Sequence, residues 1–177
     1  MIGNPPWLVA GYYAQNELDY LRATYESATG KFDMYYPFVE QGCRLLSTNG
    51  LFGMIVPNKL FHTQAASTLR SLLSHNKWVR RVVDFGSERI FPKATNYSCL
   101  LFLQMKPSPE PVYARARVGL SFDTEFKVPW AVLNSEMWNF MDQSTRDLFN
   151  SMRQAGEPLE SLTFRFGTEY RAAQIVY

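Results

Sequence analysis

The chain has 177 residues, 46% hydrophobic and 15% aromatic, which is enough to bury one sizeable core with chain left over. A formal net charge of +2 excludes a polybasic or strongly acidic tail, and permits nucleic-acid binding without arguing for it. Cys43 and Cys99 lie in apolar runs and are expected as buried free thiols, and His62 and His75 lack partners at metal-ligand spacing, so no metal is expected. The apolar runs are too short for a membrane span and the start lacks a signal pattern, so a soluble cytoplasmic protein is expected.

The first element is GNPPW, Gly3 to Trp7, whose paired prolines make a rigid bend that a helix or central strand does not accommodate. In LVAGYYAQNELDYLRATYESATGK, Leu18, Leu21 and Tyr25 recur at helical spacing before Gly30, which predicts a loop carrying a short helix. KFDMYYPFVEQGCRLLSTNG predicts a helix capped by Asp33, with Pro37 near its first turn and Asn49-Gly50 at its end. Phe38, Val39, Cys43, Leu45 and Leu46 would supply its buried face. LFGMIVPN is an apolar run stopped by Pro57, as in a strand buried on both faces. TQAASTLRSLLSHN predicts an amphipathic helix capped by Thr63, with Ala66, Leu69, Leu72 and Leu73 inward. VRRVVDFG is a second strand, IFPKATN a turn, and YSCLLFLQM a third strand. The strand–helix–strand succession predicts a parallel crossover, and the short turn predicts that the third strand returns antiparallel. MKPSPEP then reads as a linker, PVYARARVG as an exposed or edge strand, and SEMWNFMDQSTRDLFNSMRQAG as a helix ended by Gly156. PLESLTFRFGTEYRAAQIVY reads as the beginning of another β segment.

GNPPW is open to two readings. It is either a tight turn with an anchoring tryptophan or a device for presenting an amino group. An exocyclic amino nitrogen is a poor nucleophile because its lone pair is delocalised into the ring. Acceptors that hold both amino hydrogens favour tetrahedral geometry and stabilise the charge developing during attack. The Asn4 side-chain oxygen and the Pro5 carbonyl are such acceptors, Pro6 stiffens the turn, and Trp7 offers a plate for stacking on an extruded base.

In order along the chain, GNPPW, FDMYYPFVEQGCRLLSTNG, LFGMIVPNKLF, TLRSLLSHN, VVDFG and IFPKATNYSCLLFL resemble the adenine-specific DNA methyltransferases of restriction–modification systems, including bifunctional restriction–methylation enzymes. The resemblance covers residues 3–106 and implies an α/β fold. It would be the C-terminal half of a Rossmann-like class I methyltransferase sheet, mostly parallel with one antiparallel strand, followed by the start of a target-recognition region. On this pattern 1–106 is the catalytic-domain portion, 107–135 a linker and edge strand, and 136–177 a helix and the beginning of target recognition. The resemblance makes Asn4 and Pro5 the amino-group acceptors, Trp7 one face of the base site and Phe91 the other, against the alternative that Phe91 is an ordinary core residue. Tyr35, Pro57, Asn58 and Asp84 are read as structural. The implied methyl donor is S-adenosylmethionine, and the implied partner is double-stranded DNA in a bacterial or archaeal cytoplasm.

The family's glycine-rich donor loop and ribose-binding acid precede its NPPW turn, and only Met1, Ile2 and Gly3 do so here. Asn4 alone would touch the donor, so the chain is expected to be a fragment, inactive by itself. Its open sheet edge would pair with a missing N-terminal half or with itself. Lys77, Arg80, Arg81, Arg89, Lys93, Arg115 and Arg117 read either as phosphate contacts or as a solvated face, because Asp84 and Glu88 are interleaved. Tyr12, Tyr13, Tyr20 and Tyr25 read either as a lid over the base or as packing for the inserted helix. Two other functions stay open: an RNA or protein amino-methyltransferase, and an inactive remnant that binds DNA or a partner.

Overall fold

The computed structural model describes residues 1–91, 97–119 and 121–156. Lys93 and the lead-in to target recognition lie outside them. The chain enters on β1 (Ile2–Gly3), which pairs parallel with β2 (Leu51–Pro57). β3 (Val79–Asp84) and β4 (Ser98–Gln104) form an antiparallel pair, and β4 also pairs antiparallel with β2. β5 (Val112–Ala116) runs parallel to β3, and β6 (Phe122–Lys127) runs antiparallel to β5. The sheet order is β1-β2-β4-β3-β5-β6. β1, β2, β3 and β5 therefore share one direction, so their carboxyl ends meet at one edge, where open α/β sheets gather ligands.

α1 (Gln15–Thr24), α2 (Tyr35–Arg44) and α3 (Ser67–His75) surround the main core. Strand alternation sends Phe52, Val56, Leu101 and Leu103 into the cluster that holds Val39, Cys43, Leu69 and Leu73. Gly42, helix-weakening in general, is required here by close approach. A Cβ on it would lie 2.2 Å from the Phe52 ring. The opposite side of the sheet carries a second, smaller cluster of Val83, Phe85, Ala114 and Ala116, flanked by Leu100 and Phe102. Arg70, 1% exposed, donates to the carbonyls of Leu60 (2.8 Å), Thr63 (2.8 Å) and Ser135 (3.1 Å). It thus joins α3, the turn after β2 and the segment after β6. No helix among the described residues is long and apolar enough to cross a membrane.

Several sequence expectations need correction. Asp33 does not cap α2: its carboxylate pairs with Lys59, and the cap position falls to Met34 without a side-chain bond. Thr63 is not a cap either, because its hydroxyl donates to the Lys59 carbonyl and a short 3-10 turn, Gln64–Ala66, precedes α3. On α2, Val39 and Cys43 are buried, but Phe38 and Leu45 are exposed. β2 and β3 are parallel, as the crossover requires, yet β4 lies between them. PVYARARVG is not an edge strand. β6 covers its outer side, and Tyr113, Ala114 and Ala116 are buried. β6 was unforeseen because FDTEFK is exposed along most of its length and carries only two apolar residues, Phe122 and Phe126, in its alternation.

The chain forms two compact units, Met1–Phe140 and Met141–Tyr177. The helix expected from residue 135 begins only at α4 (Gln143–Ala155) in the second unit. In the first unit Trp138 is buried, and Phe140 stacks on Tyr113 with centroids 4.4 Å apart. α4 starts where Asp142 accepts from the Thr145 amide at 2.7 Å, a bond that holds its carboxyl below the usual range.

Candidate active site at the carboxyl end of the sheet

The NPPW turn leaves the end of β1 directly, at the ligand-gathering edge. Asn4 and Pro6 are exposed, Pro5 is buried, and Trp7 is partly buried against the main core. The turn's exit is fastened to the segment preceding α2. The Met34 amide donates to the Leu8 carbonyl (2.8 Å), the Ala10 amide to the Phe32 carbonyl (2.9 Å), and Val9 bridges Asp33. Two prolines before Trp7 and a short ladder after it leave the turn little freedom.

Phe91 reaches the same place from the loop after β3. Its ring lies 5.8 Å from the Trp7 ring, at an interplanar angle of 65°, and it is 37% exposed. The two aromatics expected to contact a base are therefore neighbours, although far apart in sequence. The Trp7 indole nitrogen is buried without a hydrogen-bond partner among the described residues.

Beneath these loops sits a polar network. Asn58 Nδ2, just past the end of β2, donates to Asp84 Oδ1 (3.1 Å) and to the Gly86 carbonyl (3.0 Å). The Gly86 amide also donates to Asp84 Oδ1 (2.8 Å), and Tyr113 Oη to Asp84 Oδ2 (3.0 Å). Arg115 completes the set at 3.3 Å from Oδ2. Burial, reinforced by the Asp84 charge, pushes the Tyr113 phenol up to about 12. Gly86 has φ of +58°, which favours glycine, and a Cβ there would fall 1.6 Å from the Arg115 guanidinium and push that side chain aside. Asn58 and Asp84 take the structural role expected of them.

Tyr35 is fully buried, with its ring 4.6 Å from that of Tyr36 and perpendicular to it. Burial, with the neighbouring Tyr36 and Asp33, raises the Tyr35 phenol well above its ordinary value, so it is a neutral core residue. Four of the basic residues have acidic or amide partners: Arg80 donates to Gln104, Arg81 pairs with Glu125, Arg115 with Asp84 and Arg117 with Asp123. Of the tyrosines, Tyr13 and Tyr25 pack on the core while Tyr12 and Tyr20 are exposed. Sequence reasoning missed Lys59, whose ammonium lies 2.9 Å from Asp33, and Arg70. Neither a lone lysine after Pro-Asn nor an arginine inside an amphipathic pattern carries a local signal that marks it as buried or paired.

The model of the Eco57I restriction-modification methylase family matches residues 1–91. The chain belongs to that family. Relatives of this Eco57I-family chain include the type II restriction enzyme and methyltransferase RM.Eco57I of Escherichia coli, 37% identical over 106 residues, covering 58% of this chain and 11% of the relative. The type II methyltransferase M.BstVI of Geobacillus stearothermophilus is 25% identical over 107 residues, covering 60% of this chain and 19% of that protein. The chain thus spans a small part of the length of either relative. Among solved structures, the type IIL restriction-modification enzyme MmeI in complex with DNA superposes with a TM-score of 0.55 at 15% identity, covering 72% of this chain and 18% of that one. A type I restriction-modification methyltransferase subunit of Streptococcus thermophilus gives 0.52 at 14% identity, covering 89% and 32%. The Eco57I-family chain therefore has the mixed α/β, class I methyltransferase-like fold that its sequence implied.

Donor binding in such a fold uses an acid at a strand end for the ribose hydroxyls. The acid at the end of β3, Asp84, has both oxygens engaged by Asn58, Gly86, Tyr113 and Arg115. The described residues of this Eco57I-family chain do not fit S-adenosylmethionine as its ribose holders.

Proposed function

We propose that this chain is the base-presenting portion of a restriction–modification methyltransferase that transfers a methyl group from S-adenosylmethionine to the amino group of adenine in double-stranded DNA. The observation that carries the reading is the meeting of Trp7 and Phe91 beside the NPPW turn, 5.8 Å between centroids. Trp7 and Phe91 stand edge to face at 65°, so the two rings would part to take the two faces of an adenine flipped from the duplex. The Asn4 side-chain oxygen and the Pro5 carbonyl would accept the two amino hydrogens, and Pro6 would hold that carbonyl's direction. The donor would be held mainly by residues outside those described here, with Asn4 at its margin. Residues 1–106 then form the catalytic portion, and the chain from residue 136 leads toward target recognition. The 177 residues alone do not methylate on this account, and the open β1 edge, where Ile2 is 92% exposed, is where complementing polypeptide would add.

The test is methyl transfer to DNA by a longer protein carrying this segment, with modified nucleosides identified by mass spectrometry. N6-methyladenine is expected, and Asn4→Ala should slow its formation by about 10²–10³-fold. N4-methylcytosine as the product would refute adenine specificity. Transfer to RNA or to glutamine peptides with none to DNA would favour the other amino-methyltransferase reading, and no transfer to any of them would favour a binding remnant.

A further inference from the structure

The Trp7 and Phe91 rings stand on loops that follow different strands, yet a continuous series of contacts joins those loops beneath the rings. The backbone just past Trp7 is bonded to Phe32 and Met34 and bridged to Asp33. The Asp33 side chain reaches Lys59 Nζ at 2.9 Å. Lys59 follows Asn58, whose side chain holds Asp84 and Gly86 at the head of the loop leading to Phe91. Asp33 is 5% exposed, and its Oδ1 has no partner among the described residues.

A buried carboxylate with one charged partner contributes little net stability, since apolar residues of like volume often serve as well. It is sensitive to position, however, because loss of either charge leaves the other uncompensated. We infer that Asp33 and Lys59 are a positioning pair that sets the NPPW turn relative to the end of β2, and so sets how Trp7 stands against Phe91. Neither residue touches the base. Asp33 acts through the backbone of Leu8 to Ala10, and Lys59 through the Asn58–Asp84 network. The inference deepens the reading of Trp7 and Phe91 as the two faces of an adenine site and rests on it.

The test uses the whole 177-residue chain labelled with nitrogen-15, reading the four tryptophan indole resonances, with Trp7 assigned from Trp7→Phe. Lys59→Met is expected to displace the Trp7 resonance and to speed amide exchange at Ala10, while Trp78, Trp130 and Trp138 stay in place. Lys59→Arg should restore both readouts. An unmoved Trp7 resonance in Lys59→Met, or equal movement of all four indoles, would reduce the pair to a general structural role and overturn the inference. If Lys59→Met does not fold, Asp33→Asn is read by the same criteria. Adenosine is then titrated into each form. Lys59→Met should weaken its effect on Trp7 roughly tenfold or more, with recovery in Lys59→Arg. Adenosine that leaves wild-type Trp7 unmoved would sink the adenine-site reading, while the Trp7 resonance in the variants still decides the positioning role.

Discussion

Asp33 and Asp84 are both buried aspartates next to the ligand-gathering edge of one sheet, and they are satisfied in opposite ways. Asp84, 6% exposed, takes bonds from Asn58, Gly86 and Tyr113 and an ion pair from Arg115. Asp33, 5% exposed, has Lys59 and one oxygen without a partner among the described residues. A carboxylate bonded from several elements locks those elements together. One held by a single flexible ammonium ties two loops and leaves their spacing dependent on that contact. Asp84 is therefore the fastening of the sheet end, and Asp33 the tether of the NPPW turn.

Removing the better-satisfied group should have the largest effect. Asp84→Ala removes at once the acceptor shared by Asn58, Gly86, Tyr113 and Arg115 and is expected to lower stability by about 3–5 kcal/mol, read from urea unfolding. A loss no larger than that of an exposed pair would mean that water replaces the network at no cost. Gly86→Ala should follow at about 1–3 kcal/mol, because it forces φ of +58° on alanine and displaces Arg115. Lys59→Met should cost about 1–3 kcal/mol, reduced from the fully buried value because the Lys59 side chain is 31% exposed. If Lys59→Met and Asp84→Ala proved equal, the distinction between tether and fastening would collapse. At the small end, replacing Arg81 of the exposed Arg81–Glu125 pair by Met should change stability by about 0–1 kcal/mol.

Alkaline titration sharpens the comparison from another side. Burial pushes the Cys43 thiol up to about 12, and the Tyr113 phenol likewise. Both groups keep their protons in the folded chain at pH values where the unfolded chain releases them, so the folded state binds more protons. Stability present below about pH 9 should therefore fall as pH rises toward 12, and Cys43 should resist alkylation in the native chain at pH 8. Rapid native alkylation of Cys43 would contradict its burial.

The NPPW turn was legible because its paired prolines declare a rigid bend locally, whereas Phe91 was singled out only by the family resemblance. The buried strands LFGMIVPN, VRRVVDFG and YSCLLFLQM were legible from their apolar runs. Asp33 misled because an aspartate before an apolar periodic segment has the form of a helix cap, and only the fold brings Lys59 to it. Arg70 went unmarked, since nothing in an amphipathic pattern singles out a guanidinium whose partners are carbonyls of distant loops. PVYARARVG read as an exposed or edge alternation because β6, which pairs along its outer side, offers only two apolar residues as a signal. Local chemistry and the family resemblance thus marked the residues proposed for the site, while the contacts that hold them in place emerged only with the tertiary structure.

Trp7 and Phe91 are proposed to take the two faces of an adenine. The most direct test of that proposal is the fluorescence of 2-aminopurine placed as an unpaired base in a DNA duplex and titrated with the chain. The account predicts a saturable change in emission that Trp7→Ala and Phe91→Ala each abolish, while Arg81→Met leaves it intact. An identical change in the two aromatic variants, or none with the wild-type chain, would contradict it.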